Sequence, residues 1–185
     1  LTNDPDIDSA YLIDTAVDKL PQALERMGQL RALGTGVLSR KQALVLSQQV
    51  EFTVLLAELN ASVNGLRRNL EKTSRYNPGL QSALAASIRD MGEAADKVSA
   101  LVNQDILSGT YATPPEDYFA LTTGSLEKGY KEMFETLFPT LEQLLQRRIE
   151  RAQRNLILSI ALAGVILLLY AYVSVALYYA TISSL

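Results

Sequence analysis

The sequence predicts an all-α protein, an antiparallel four-helix bundle whose last helix continues into a transmembrane helix. Apolar residues recur at three- and four-residue steps through roughly the first 150 positions, and no stretch alternates apolar and β-branched residues as a half-buried strand would. Helix breakers and caps divide that part into four segments. Residues 156–179, LILSIALAGVILLLYAYVSVALYY, then carry no charge at all. At about 1.5 Å per residue they are long enough to cross a hydrocarbon core roughly 30 Å thick.

The first helix is expected to start after Asp4, with Asp4 as N-cap, Pro5 in the first turn, and Asp6 and Asp8 at the positive end of the helix dipole. Ile13, Ala16, Leu20, Leu24, Met27 and Leu30 form its apolar face. Gly34 is expected to end it in a left-handed cap. Pro21 removes one backbone bond and crowds the preceding turn, so a kink is expected over residues 17–21. Ser39 with Gln42 has the S-x-x-Q form of a capping box, which predicts the second helix start. Phe52, Leu55, Leu59, Val63, Leu66 and Leu70 follow as a heptad-like seam that needs partner helices to cover it.

Asn77 and Pro78 close the second helix and open the third. The third carries Leu80, Leu84, Ile88, Met91, Ala95, Val98 and Val102 and should end at Ser108 and Gly109. Thr113, Pro114 and Glu116 combine an N-cap, a proline at the first helical position and a capping-box acid. From there Leu126, Tyr130, Met133, Leu137, Leu141 and Leu144 make the fourth apolar face. Nothing after Pro139 stops the helix before the apolar run. The expected organisation is a helical-bundle region at 1–154, a transmembrane helix at 155–180 and the start of a linker at 181–185. Short loops between amphipathic helices favour antiparallel packing, with Asn77 and Pro78 at the membrane-proximal end and Gly34 and Gly109 together at the far end.

Composition excludes several function classes. The chain has no Cys, His or Trp, which removes thiol nucleophiles, disulfides and the usual zinc ligands and leaves only carboxylates for any metal. No nucleophile or base can be named without them, and no pair of acids converges, so no enzymatic activity and no cofactor are expected. A net charge of −3 with both signs interspersed gives no basic face for nucleic acid. Asp4, Asp6, Asp8 and Asp14 invite a hard-cation reading, but acids at a helix start already interact with its dipole, and no EF-hand spacing is present.

Asp4-Pro5-Asp6-Ile7-Asp8-Ser9-Ala10-Tyr11-Leu12-Ile13-Asp14, then Leu20-Pro21, Leu30-Arg31-Ala32-Leu33-Gly34-Thr35-Gly36 and Pro115-Glu116-Asp117-Tyr118-Phe119, resemble the extracytoplasmic helical region of bacterial transmembrane receptors. The methyl-accepting chemotaxis proteins are the nearest likeness. Similar regions precede histidine kinases and diguanylate cyclases. The resemblance covers most of the chain. It implies a sensory input region without catalysis, further membrane and bundle residues before Leu1, an output module after Leu185, and a homodimer. It also implies a small-molecule ligand, met directly or through a periplasmic binding protein.

Within that frame, Arg26, Arg31, Arg40, Arg67, Arg75 and Arg89 could each offer a guanidinium to an anionic ligand. Arg31 and Arg40 lead because they flank the expected turn at 34–36. Tyr11, Tyr111 and Tyr118 could line a pocket, although aromatics at helical spacing are usually core. Arg147, Arg148, Arg151 and Arg154 crowd the front flank of the apolar run. The positive-inside rule taken alone puts that flank in the cytoplasm. The receptor likeness implies the opposite, with these arginines as interfacial anchors and Tyr178 and Tyr179 at the other interface. Pro139 is the candidate hinge, and Ser159 with Ala163 make a small-xxx-small pair suited to helix contact in a bilayer.

Overall fold

The computed structural model describes residues 7–183, so the expected cap at Asp4 and Pro5 lies outside the described residues. Those residues are helical apart from short connections. Helix α1, Ile7–Asp14, passes through a widened π turn, Thr15–Lys19, into α2, Leu20–Arg40. Helix α3 is Leu46–Tyr76. A 3₁₀ turn, Pro78–Leu80, leads into α4, Gln81–Leu101, which ends in a second π turn, Val102–Leu107. Helix α5, Pro115–Lys131, enters a third π turn, Glu132–Leu137, and α6 runs Phe138–Ser183. The chain divides into two compact units, Leu1–Glu142 and Gln143–Leu185.

The first unit is a four-helix bundle. The α1–α2 rod packs on α3 and α5, and α4 packs on α3 and α5, so each rod covers its neighbours' apolar stripes. Leu12, Leu20, Met27, Leu30, Phe52, Leu59, Leu66, Leu70, Leu84 and Met91 are fully inside, together with Tyr118. At about 1.5–3 kcal/mol for each large apolar side chain withdrawn from water, this core is the main stabilising contribution.

The π turns set the helical phase. Leu12, Ala16 and Leu20 are spaced by four and four, as are Val98, Val102 and Ile106, and all six are buried. A 3.6-residue helix carries such a series steadily off the core side, whereas one wider turn brings it back. Two assignments made at regular spacing are corrected for this reason. Ile13 is 38% exposed because Leu12 takes the inner position before Thr15–Lys19. Tyr130 is 49% exposed because Gly129 faces inward ahead of Glu132–Leu137. Pro21 and Pro139 each stand two residues past the end of a π turn. The widened turn gives room where a proline ring would crowd the carbonyl four residues back.

The first long helix does not stop at Gly34. It continues through residues 34–36 to Arg40, and Lys41 supplies the left-handed cap (φ 50°), its N–H donating to the Val37 carbonyl at 3.0 Å. Gly34 is a packing position: a Cβ there would overlap the ring of Tyr118, whose hydroxyl donates to the Leu30 carbonyl at 2.8 Å. Gly129 is similar, since a Cβ would overlap Leu24 and lie 3.4 Å from the Met91 sulfur. Ser39 is therefore inside α2, and its hydroxyl donates to the Thr35 carbonyl at 2.7 Å instead of capping α3. Helix α3 starts at Leu46, where the Val45 N–H donates to Gln48 Oε1 at 3.2 Å. Helix α5 starts one residue later than expected, with Pro114 at the N-cap and Pro115 in the first turn, because the Thr113 side chain, like its N–H, bonds Asp105 instead of capping a helix at 113.

Gly28 and Gly34 both lie in α2, but only Gly34 meets a neighbour where a Cβ would stand. Gly28→Ala is expected to stabilise the detergent-solubilised chain by about 0.4–1 kcal/mol. Gly34→Ala should destabilise it, because overpacking costs about 1–3 kcal/mol and outweighs the helix gain. Thermal melts followed by circular dichroism compare the two, and equal shifts would refute the packing role of Gly34.

Candidate functional site

Three places in the first unit gather polar chemistry: the loop end around Asp105, the α2–α5 face at Arg31, and the grooves beside α3. Asp105 lies in the last turn after α4, where the helix dipole disfavours a carboxylate. Its role is local. Oδ1 accepts the Ala112 N–H at 2.7 Å and Oδ2 the Thr113 N–H at 2.8 Å, while its carbonyl accepts the N–H groups of Thr110 at 3.0 Å and Tyr111 at 3.2 Å. Burial alone would raise the carboxyl's pKa. The hydrogen bonds from Thr113 and the Ala112 amide, with the charge of Lys41, outweigh it and hold the group below the usual carboxylate range.

That clamp shapes the loop at 108–114, in which Gly109 (φ 77°) and Tyr111 (φ 49°) are both left-handed. The Tyr111 hydroxyl accepts the Leu44 N–H at 3.2 Å and so ties this loop to the one before α3. The two loops meet through this bond, and Gly34, inside α2, takes no part in it.

Arg31 is held in place. Its guanidinium stacks on the Phe119 ring, 5.0 Å from the centroid, and Nη1 donates to Thr123 Oγ1 at 3.1 Å. Since residues 34–36 are helical, Arg31 and Arg40 flank no turn. Arg40 is exposed and borders a small cavity of about 100 Å³ between α2 and α3. Tyr11 stacks with Tyr76 at 6.4 Å between centroids, and Lys72 Nζ lies 4.7 Å from the Tyr11 ring. Tyr118 is fully buried, which pushes its phenol pKa up and leaves it as a core residue. Arg26 pairs with Glu58 at 2.7 Å, Arg89 with Asp90 at 3.1 Å, and Arg67 donates to Asn64 at 2.9 Å. Arg75 borders the larger groove, about 480 Å³, with Glu71, Ser74, Gln81 and Ile88. Arg67 and Arg89 share a groove of about 340 Å³ between α3 and α4 with Asn64, Glu93 and Asp96, whereas Arg40 and Arg75 border other cavities.

Asp8 accepts from Asn77 Nδ2 at 3.1 Å, and Asp14 accepts from Asn69 Nδ2 at 2.6 Å, so both join α1 to the end of α3. Among the described residues no group of three or more acids could hold a metal ion; Asp4 and Asp6 lie outside them. Sequence reasoning missed Asp105 and the hydrogen bond from buried Ser87 to Glu132 in the third π turn. The one available signal for Asp105 was an acid at a helix end that the dipole argument leaves unexplained.

In the second unit, α6 is long and apolar enough to cross a membrane, and its most apolar stretch has no buried residue. Arg147, Arg151 and Arg154 are exposed, and Arg148 half-buried, in the turns before it. Tyr178 and Tyr179 pack edge to face at 5.8 Å near its other end. Ser159 Oγ donates to the Asn155 carbonyl at 2.9 Å, which satisfies the hydroxyl inside its own helix. Comparison of the chain with protein-family models, with curated proteins and with solved structures finds no match in any of the three.

The Asp105 clamp is pH-sensitive with a defined sign. Its folded pKa lies below the unfolded value near 3.8, so its stabilisation is full above that value and is lost as pH falls through the folded pKa. Exchange protection of the Ala112 and Thr113 amides, corrected for intrinsic rates, should be full above about pH 4 and fall as the pH is lowered below it. Asp105→Ala should lower stability by about 2–3 kcal/mol. Unchanged protection of these two amides in Asp105→Ala would contradict the assignment.

Proposed function

We propose that the chain is the sensory input region of a transmembrane signal-transduction receptor of the chemotaxis-transducer type. The observation that carries this reading is the make-up of α6: an uncharged run at 156–179, exposed on all sides, within one helix that begins directly after a π turn and includes Pro139. Exposed apolar side chains around a whole helix are stable in lipid and not in water. The π turn and the proline provide a position where that helix can adopt a second register at small cost.

In this reading residues 1–154 are periplasmic and 155–180 cross the inner membrane, with Arg147, Arg148, Arg151 and Arg154 at one interface and Tyr178 and Tyr179 at the other. The bundle is antiparallel. That order is supported by Tyr111 bonding to Leu44 at one end and by Asn77 and Thr73 bonding to Asp8 at the other. The receptor acts as a homodimer and responds to a small-molecule ligand or a periplasmic binding protein. Binding changes the relative population of two packings of the bundle, and a displacement of the last helix, on the order of 1–2 Å, reaches the output module. An input region for a histidine kinase or diguanylate cyclase would use the same device with a different output.

Two measurements test this reading. Asn103→Cys, in an exposed position, should react with a membrane-impermeant maleimide in cells with a permeabilised outer membrane and an intact inner one. Labelling only after inner-membrane lysis would overturn the orientation. Pro139→Ala in a chimera that drives a chemotaxis output module should change the basal output several-fold while the melting temperature moves little. Basal output equal to that of the parent chimera would eliminate the hinge and favour a passive membrane tether.

A further inference from the structure

Helix α3 is apolar on two opposite sides. Its inner side carries Phe52, Leu55, Leu59, Leu66 and Leu70, all buried. On the opposite side, Ser47, Val50, Val54, Ala57 and Ala61 step by three, four, three and four, and all are exposed. Val50 is 54% and Val54 48% exposed, and Leu46, beside the start of the row, is 76% exposed. No charge stands on this outer line until Arg68. A surface helix ordinarily turns charged residues to water at such positions. Four turns of uncharged aliphatic and small side chains at coiled-coil spacing therefore mark a covered face.

We infer that this outer face of α3 is the surface on which two copies of the chain pair, parallel and in register, through Ser47, Val50, Val54, Ala57 and Ala61. The flanking residues select the occupant and its direction. Glu51 and Glu58 lie on one side of the row and Thr53 and Asn60 on the other. In a parallel pair each glutamate side meets the Thr53 and Asn60 side of the partner. An antiparallel pair would instead set Glu51 against Glu58 of the other copy, an unfavourable like-charge contact. Ala57 and Ala61 allow close backbone approach, and Val54, at an a-type position of the seam, suits a two-stranded arrangement. Two chains anchored in one bilayer by the same segment are held parallel, so this inference rests on the membrane reading given above.

Size sets the strength of the pairing. Residues 47–61 extend over about 22 Å of helix, which falls well short of the roughly 800 Å² per partner of a stable soluble interface. Pairing on this face is therefore weak in dilute solution and becomes substantial when both copies share a membrane, where confinement raises the effective concentration.

Because the chain has no cysteine, single substitutions give one thiol per copy. Val50→Cys, Val54→Cys and Ala57→Cys should each crosslink to the same position of a second copy under mild oxidation in bacterial membranes. The rate should exceed that of Lys128→Cys, an exposed position on α5, at least tenfold. Val54→Lys added to Ala57→Cys should abolish the crosslink while leaving the thermal melt unchanged, because the Val54 side chain faces away from the core. Equal rates at Lys128→Cys and the seam, or faster crosslinking through exposed Phe134→Cys than through any seam position, would overturn the assignment. Retention of the chain in carbonate-washed membranes is read separately. A retained chain without seam crosslinks loses this interface alone, whereas a chain extracted by carbonate loses the membrane reading and, with it, the inference that rests on it.

Discussion

The rest of the bundle depends on keeping one side of each helix turned inward over lengths at which a regular 3.6-residue repeat and the apolar spacing fall out of step. Leu12, Ala16 and Leu20 on the first rod, and Val98, Val102 and Ile106 on the third, step by four and four, and each series coincides with a π turn. The extra residue restores phase where a regular helix would turn its apolar side toward water. Core burial is worth kilocalories per side chain, while one imperfect turn costs much less, so the backbone yields and the core does not.

Close approach of the helices is set by glycine at two sites. Gly34 receives the Tyr118 ring and Gly129 receives Leu24 and Met91, so α2 and α5 meet at a separation that no side chain at those two positions would permit. Tyr118 also anchors its hydroxyl on the Leu30 carbonyl, which satisfies the one polar atom the contact buries. Away from this contact the bundle is joined by side chains that serve the backbone: Asp105 gathers the loop before α5, and Asp8 and Asp14 bind asparagines near the end of α3. These acids are structural, and Arg31 and Arg40, the leading ligand candidates, stand on separate surfaces.

The α3 helix brings the functional reading and the packing together. One side closes the core and the other is a second apolar line with nothing of the same bundle covering it. In the proposed receptor, a bundle that pairs with its own copy through such a line would respond to a stimulus by a change in helix packing on either side, and the thin, uncharged seam would keep that pairing reversible.

The sequence by itself determined the helical class, the four segments, the breaks at Asn77 and Gly109, and the apolar run at 156–179. Each of these follows from local causes: side-chain periodicity, the missing N–H of proline, the left-handed freedom of glycine and the absence of charge. Tertiary structure alone decided whether a glycine ends a helix or admits a ring, as at Gly34, and which residue faces inward near a π turn, as with Leu12 over Ile13 and Gly129 over Tyr130. It also decided that Arg31 stacks on Phe119, that Tyr111 ties two loops, and that Asp105 organises the loop end. Those outcomes turn on which atoms arrive from distant parts of the chain, and a spacing pattern carries no information about a neighbour tens of residues away.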